Sequence, residues 1–368
     1  MSRIEAAALQ EGLRRGIDRL TSVAGEDGWR NFRTLAGESG VWVSAFVVAR
    51  IAPVAARRAA VRGARRAIAA AQHPAGGWSF GSAVPPDADS TAWALQALEG
   101  TRLLDAARRQ RAGEFLETHR AGDGYSTYAP DGAIATFIDA GERSVSGWTS
   151  EHADVTAAVL MAGPPGTTDA AALGTLGALV ARQTGAGWWP AYWWRSSQYT
   201  GALVVRALAR RGWCLPPARE HLLLEAFERQ QLPDGGYPLG GAHETDPFST
   251  GLAVETLSLL SARGAGELRE RAVGALLATQ LGDGGWIGDY QLRIPPPDVH
   301  TPRHVSEWTR GGGGGGSFVL DRDGLFATAQ ACAALVSCLE PAAPCEPLPE
   351  PRRQPAEDVV EVFATQTS

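Results

Sequence analysis

The stretch Pro85-Pro86-Asp87-Ala88-Asp89-Ser90-Thr91-Ala92-Trp93-Ala94-Leu95-Gln96-Ala97-Leu98 places carboxyls, hydroxyls and an indole at the start of an apolar run. The prolines end whatever precedes them, and the short polar residues offer caps to the free N–H groups of a helix start. Asp89 then lies where its carboxyl can face a cavity instead of bulk water. Burial in an apolar chamber raises such a group well above its reference pKa of about 3.9, so that it still carries a proton near neutral pH. A buried acid also needs hydrogen-bonding neighbours to steady the carboxylate it leaves behind. Asp87 and Ser90 are adjacent in sequence, and His152 opens a later helix that reaches Asp89 if successive repeats are neighbours. Asp89 also reads as an ordinary helix N-cap with no chemistry.

A repeat must position these residues. Gln-x-x-x-Gly-x-aromatic occurs at Gln72 to Trp78, Gln183 to Trp189, Gln231 to Tyr237 and Gln280 to Trp286, with degenerate forms at Asp27-Gly28-Trp29 and Asp123-Gly124-Tyr125. Before each turn lies a segment rich in Ala, Leu and Arg with helical periodicity: 5–23, 54–72, 102–119, 168–183, 216–231 and 266–280. Their polar and apolar faces suit surface helices. After each turn a more apolar helix opens near Ser44, Thr91, Thr156, Thr200, Thr250 or Thr328, each followed by Ala or Gly. Twelve helices alternating in this way predict an all-α, (α/α)6 ring over residues 1–340, with an open solenoid of pairs as the other closure. Residues 341–368 are Pro-rich and acidic and read as a tail or strap.

Alignment on the Ser/Thr exposes a mixed column two residues earlier: Trp42, Asp89, Asp154, Gln198, Phe248 and Phe326. A rim that handles a cation suits this mixture, because aromatic faces attract positive charge by about 0.5–2 kcal/mol when desolvated. Trp93 stands one turn beyond Asp89, and Trp188, Trp189, Tyr192, Trp193, Trp194 and Tyr199 crowd one turn. The Gly-x-aromatic residues, including Trp189, also read as staples between helices. The turn-to-helix spacing is 11 to 15 residues in four repeats but stretches between Tyr125 and Thr156 and between Trp286 and Thr328. Both insertions open on the rim that carries Asp89. The second, 287–327, holds six consecutive glycines, Gly311 to Gly316, and reads as a mobile flap over the mouth. Asp89, His152, Trp42 and Phe248 are expected to open on one central chamber.

The Gln-x-x-x-Gly-x-Trp turns resemble the repeats of squalene-hopene and oxidosqualene cyclases, the class II terpene cyclases. Asp87-Ala88-Asp89-Ser90-Thr91-Ala92 is similar to their Asp-x-Asp-Asp-Thr-Ala acid motif, with Ser90 in place of an Asp. The resemblance implies a single-barrel terpenoid toroid in which Asp89 protonates an alkene or epoxide of a polyprenyl or prenylated substrate. Asp87, Ser90 and His152 would support the acid. Trp42, Trp93, Asp154, Trp189, Trp193, Gln198, Tyr199, Phe248 and Phe326 would line the substrate chamber. It implies no cofactor and no metal. A non-catalytic prenyl-lipid binder and a glycan-active six-hairpin enzyme are the alternatives. A diphosphate headgroup would look to Arg195, Arg293, Arg303 and Arg310 near the rim.

The bulk numbers bound the rest. With 44% hydrophobic residues in 368, the chain can bury a large core. A net charge of −6 does not suggest a nucleic-acid partner. All 34 basic residues are Arg. Four cysteines without CxxC spacing or paired histidines argue against a disulfide framework or a zinc site. The N-terminus has no signal-peptide core. Val41 to Ala56, broken by Arg50 and Pro53, falls short of the roughly 20 apolar residues that span a bilayer. A cytoplasmic protein with reduced thiols is expected, with peripheral membrane contact left open.

Overall fold

A computed structural model describes residues 6–163, 169–340 and 343–349. Helix α1 (Ala6–Ser22) is followed by α2 (Val41–Ala55), α3 (Ala59–Ala70) by α4 (Ala88–Leu98), and α5 (Ala106–Glu117) by the short α6 (Ala133–Phe137) and α7 (Ala153–Ala162). Then come α8 (Asp169–Ala181) and α9 (Gln198–Ala209), α10 (Pro217–Gln230) and α11 (Pro247–Leu257), α12 (Ala265–Ala278) and α13 (Leu325–Leu339). The apolar helices α2, α4, α7, α9, α11 and α13 pack in that succession, and α13 returns to α2. Helices α1, α3, α5, α8, α10 and α12, each with exposed residues along it, lie outside them.

Each recurring position of the repeat turn has a physical task. In the four full repeats the Gln amide donates to its own turn and to the next outer helix. Gln72 bonds Gly76 O and Arg108 O, Gln183 bonds Gly187 O and Arg219 O, and Gln231 bonds Gly235 O and Leu268 O. Gln280 bonds Gly284 O and, 268 residues back, Gly12 O of α1. The last turn is thereby tied to the first helix. Gly284 has φ +91, and a Cβ there would lie 2.5 Å from Arg15 O, so only glycine lets the turn lie against α1. The indoles of Trp29, Trp78, Trp189 and Trp286 donate to Leu20 O, Ile68 O, Leu179 O and Leu276 O of the preceding outer helices. These tryptophans staple the two layers.

The Ser/Thr column is likewise structural. Ser44, Thr91, Thr156, Thr250 and Thr328 each accept from the backbone N–H of the turn aromatic at 2.9–3.0 Å, so the hydroxyl fixes where the inner helix begins relative to its turn. In the fourth repeat Thr200 instead donates to Pro190 O.

The expectation of a purely helical chain needs one correction. Asn31–Thr34 pairs antiparallel with Gly37–Ser39 as a hairpin, and the second insertion carries short strands, because backbone leaving a helix end must find partners elsewhere. Leu292–Ile294 pairs antiparallel with Ser317–Val319, which pairs in parallel with Thr309–Arg310. This small sheet is tied to the aromatic turn of the fourth repeat by Arg293 N to Trp193 O and Arg195 N to Gln291 O. In the proposed tail, Glu346–Pro347 runs parallel to Trp213–Cys214 and Leu348 is buried, while residues 341–342 and 350–368 lie outside the described residues.

Candidate active site

Asp87 is the N-cap of α4: its carboxylate accepts from Ser90 N (2.7 Å), Ser90 Oγ (2.6 Å) and Phe80 N (3.2 Å). The capping role open to Asp89 on sequence alone therefore belongs to its neighbour two residues earlier. Asp89 lies in the first turn, with Oδ2 accepting from Trp42 Nε1 at 2.8 Å. It is deep in the fold but keeps part of its surface on a cavity of about 590 Å³. Burial raises its pKa well above the ordinary carboxylate range, and the negative charges of Asp87 and Asp154 add to the rise against the opposing pull of Trp42. Burial also pushes Asp87 up, to about 6, but three donors hold its ionised form. Of the two carboxyls, Asp89 is the one whose surroundings push it further toward the protonated form.

The cavity wall is mostly aromatic and apolar. Trp42, Phe80, Tyr128, Phe137, Trp148 and Trp193 line it, and its polar groups include Asp87, Asp89, Ser90, Thr127 and Arg143. Gly313, Gly314 and Gly315 form part of the wall beside Leu35 of the 31–39 hairpin. Leu35 N donates to Gly313 O at 3.3 Å. The polyglycine segment thus lines the cavity, seated on that hairpin. Gly313 has φ +65, and a Cβ would stand 2.6 Å from Thr34 Cα. Gly313→Ala is therefore expected to lift the segment and change KM or product profile more than Tm, measured side by side. A larger fall in Tm with unchanged kinetics would make the segment a structural strap.

Of the residues singled out in the sequence, Asp87, Asp89, Ser90, Trp42 and Trp193 line this cavity. The others stand elsewhere. His152 does not reach Asp89. Its Nε2 bonds Gly147 O and its Nδ1 bonds Thr127 Oγ1, both at 2.8 Å, and the ring stacks on Tyr192 at 3.7 Å. Burial lowers its pKa to about 3, so it is neutral, with Nε2–H donating and Nδ1 accepting. Thr127 in turn accepts from Trp193 Nε1 at 2.7 Å, so His152 orients a wall residue at one remove. Asp154 accepts from the backbone N–H of Tyr192 (2.8 Å) and Trp193 (3.0 Å), anchoring the same aromatic turn. Gln198 bonds Ser196 and Gln230.

Phe248, Phe326, Tyr199 and Trp93 are buried below the cavity with Phe46 and Trp194. Phe46 stacks on Phe326 at 3.9 Å and Trp194 on Tyr199 at 4.1 Å. The expected opening of Phe248 on the chamber is corrected for this reason: aromatic stacking fills the middle of the ring and leaves the cavity above it, against the two insertions. Trp189 is a staple.

The four arginines considered for phosphates do not line the cavity. Arg293 bonds the carbonyls of Ala191 and Tyr192, Arg195 bonds Tyr290 O and lies 4.2 Å over Phe318, Arg310 lies over Tyr290, and Arg303 is exposed. Arg143 does line it, with Nε and Nη2 on the carbonyls of Ala140 and Asp139.

Neither a scan against protein-family models nor a search of curated proteins found a match. Solved structures do match. A protein from Actinoplanes is 30% identical, covers 90% of this chain and 100% of its own, and superposes with a TM-score of 0.80. The type II terpene cyclase MstE from Scytonema is 26% identical, over 90% of this chain and 99% of its own, with a TM-score of 0.82. In fold and in sequence the chain is similar to the type II, or class II, terpene cyclases. MstE variants have been solved with geranylgeranyl dihydroxybenzoate as substrate and with merosterolic acid A as product. An ent-copalyl diphosphate synthase from Streptomyces platensis, 17% identical over 81% of this chain and 50% of its own, shares the fold alone at a TM-score of 0.56.

Among the described residues, no helix is long and apolar enough to cross a membrane. Sequence reading missed Phe80, Thr127, Tyr128, Trp148 and Ile294 of the wall. All lie in turns or insertions outside the aligned column, where no periodicity points inward. Tyr128 was findable in part, since it directly follows the third Gly-x-aromatic turn.

Proposed function

We propose that this chain is a single-barrel (α/α)6 enzyme in which Asp89 starts ring closure by protonating the terminal alkene or epoxide of a polyprenyl or prenylated substrate. The observation that carries the reading is the contrast between two carboxyls on one cavity wall. Asp87 is ionised and fully bonded. Asp89, with one indole donor and a like charge beside it, holds a proton that it can release into an aromatic chamber. Trp42, Phe80, Tyr128, Trp148 and Trp193 offer π faces to the cation that follows. The return of α13 to α2, and of Gln280 to α1, supports the closed ring. The substrate bound by MstE supports a prenylated aromatic acid as the first candidate, with Arg143 the cation on the wall able to meet its carboxylate.

Incubation of the purified enzyme with polyprenyl, epoxyprenyl and prenyl-aromatic substrates tests the assignment, with cyclised products read by mass spectrometry. The acid must be protonated to act, so kcat is expected to fall as pH rises through the Asp89 pKa. Asp87→Asn removes the neighbouring negative charge and lowers that pKa, so the basic limb should move to lower pH. A limb that stays in place would show that Asp87 does not act on the acid.

A further inference from the structure

Two buried polar atoms near Asp89 have no hydrogen-bond partner: Trp93 Nε1 and Tyr199 Oη. An orphaned buried donor in a native core needs an explanation, because leaving one unpaired costs about 1–3 kcal/mol. The four buried indoles of the repeat turns, Trp29, Trp78, Trp189 and Trp286, donate to backbone carbonyls of the outer helices, so the fold readily satisfies this group. Trp93 is fully buried, lies outside the cavity wall, and follows Asp89 by four residues on α4, one turn away on the same face. From the other side, Trp42 of α2 already donates to Asp89 Oδ2. Indole donors thus flank the carboxyl from two helices.

We infer that Trp93 is a positioning residue for the acid: its Nε1–H, together with that of Trp42, holds the Asp89 carboxylate that remains once the proton has left. This deepens the general-acid assignment and rests on it. In the step, the Asp89 O–H bond breaks, a C–H bond forms on an alkene or an O–H bond on an epoxide whose C–O bond then opens, and the electron pair stays on the carboxyl while the cation develops in the chamber. A protonated acid needs one acceptor contact, whereas the carboxylate has room for a second donor. The unpaired N–H of the resting enzyme is the donor kept for that state. Both indoles draw the Asp89 pKa down against burial. The titratable groups facing Asp89 from other elements are Asp154 of α7, Tyr199 of α9 and Tyr128 of the third-repeat insertion, with Asp87 preceding it on its own. Tyr199 also adjoins Trp93, but it gains no charge in the reaction.

Trp93→Phe keeps an aromatic ring at the position and removes the donor. Loss of one bond to a charged acceptor should raise the Asp89 pKa, moving the basic limb of the kcat profile up by about one pH unit and lowering the plateau about tenfold. Trp286→Phe, which removes an equally buried indole donor from a staple, should lower Tm without moving the limb. An unmoved limb in a folded Trp93→Phe enzyme overturns the inference. The unaltered enzyme provides a second measurement that needs neither substrate nor that variant. In an ¹⁵N-indole NMR titration, two of the twelve tryptophan signals should move downfield together as Asp89 ionises, and neither should move in Asp89→Asn. One moving signal, or none, overturns the role of Trp93. Cyclisation retained by Asp89→Asn would instead overturn the general-acid assignment, so the two failures are distinguishable.

Discussion

Asp89→Asn is expected to fold and bind substrate but to give almost no cyclised product. Asparagine keeps the shape of the side chain and can still accept from Trp42 Nε1, but it has no transferable proton. Loss of a general acid commonly costs roughly 10²–10⁴-fold in rate, and more when no other group can supply the proton. Asp87 cannot substitute, because its oxygens are taken up by Ser90 and Phe80. Asp154 occupies the same repeat position on α7, but its carboxylate is committed to the backbone of Tyr192 and Trp193. Asp154→Asn should therefore loosen that aromatic turn and retain measurable turnover. Single-turnover assays of the two variants on one substrate decide the matter. If Asp154→Asn is the dead variant and Asp89→Asn turns over, the acid belongs to the third repeat.

Glu255→Ala should be the most destabilising single change in the ring, at about 3–5 kcal/mol. Glu255 of α11 holds Arg50 of α2 at 2.6 Å and Arg206 of α9 at 3.0 Å, and accepts from Gln330 of α13 at 3.0 Å. Arg50 and Glu255 are 3% and 7% exposed. Removing the one anion leaves two guanidinium groups facing each other in the core, where desolvation is not repaid. The network joins four inner helices roughly 12 Å along α2 from Trp42, taking 1.5 Å per residue. Above it Arg50 lies 5.5 Å from the Phe46 ring and 5.9 Å from the Trp93 ring. Its loss should therefore also disturb the aromatic stack beneath the acid. Urea unfolding followed by circular dichroism measures the effect, and a Glu255→Ala enzyme within 1 kcal/mol of the parent would show that the network does not secure the ring.

The repeat and its register were legible without coordinates, for a local reason. Each Gln, Gly, aromatic and Ser/Thr acts within its own hairpin or on the next one, so its spacing is imposed at short range and recurs along the chain. The same locality made Asp87, Asp89 and Ser90 readable as one capped turn, although which aspartate caps was settled only by the bonds Asp87 makes to Ser90. Polar residues inside apolar helices, Arg50, Glu255 and Gln330, were a visible signal of a buried network, but their partners lie 205 and 280 residues from Arg50. Tertiary structure alone decided where the chamber is. The column containing Phe248 and Phe326 points inward as its register requires, but large rings meeting from opposite sides of a narrow ring stack on one another and exclude space. The open volume is left where the insertions carrying Tyr128, Trp148 and Gly313 to Gly315 arch over the rim. His152 shows the same limit. It stands in the expected repeat, but whether a histidine turns to an acid or to a threonine depends on which side chains the tertiary fold brings within 3 Å, and no sequence period encodes that.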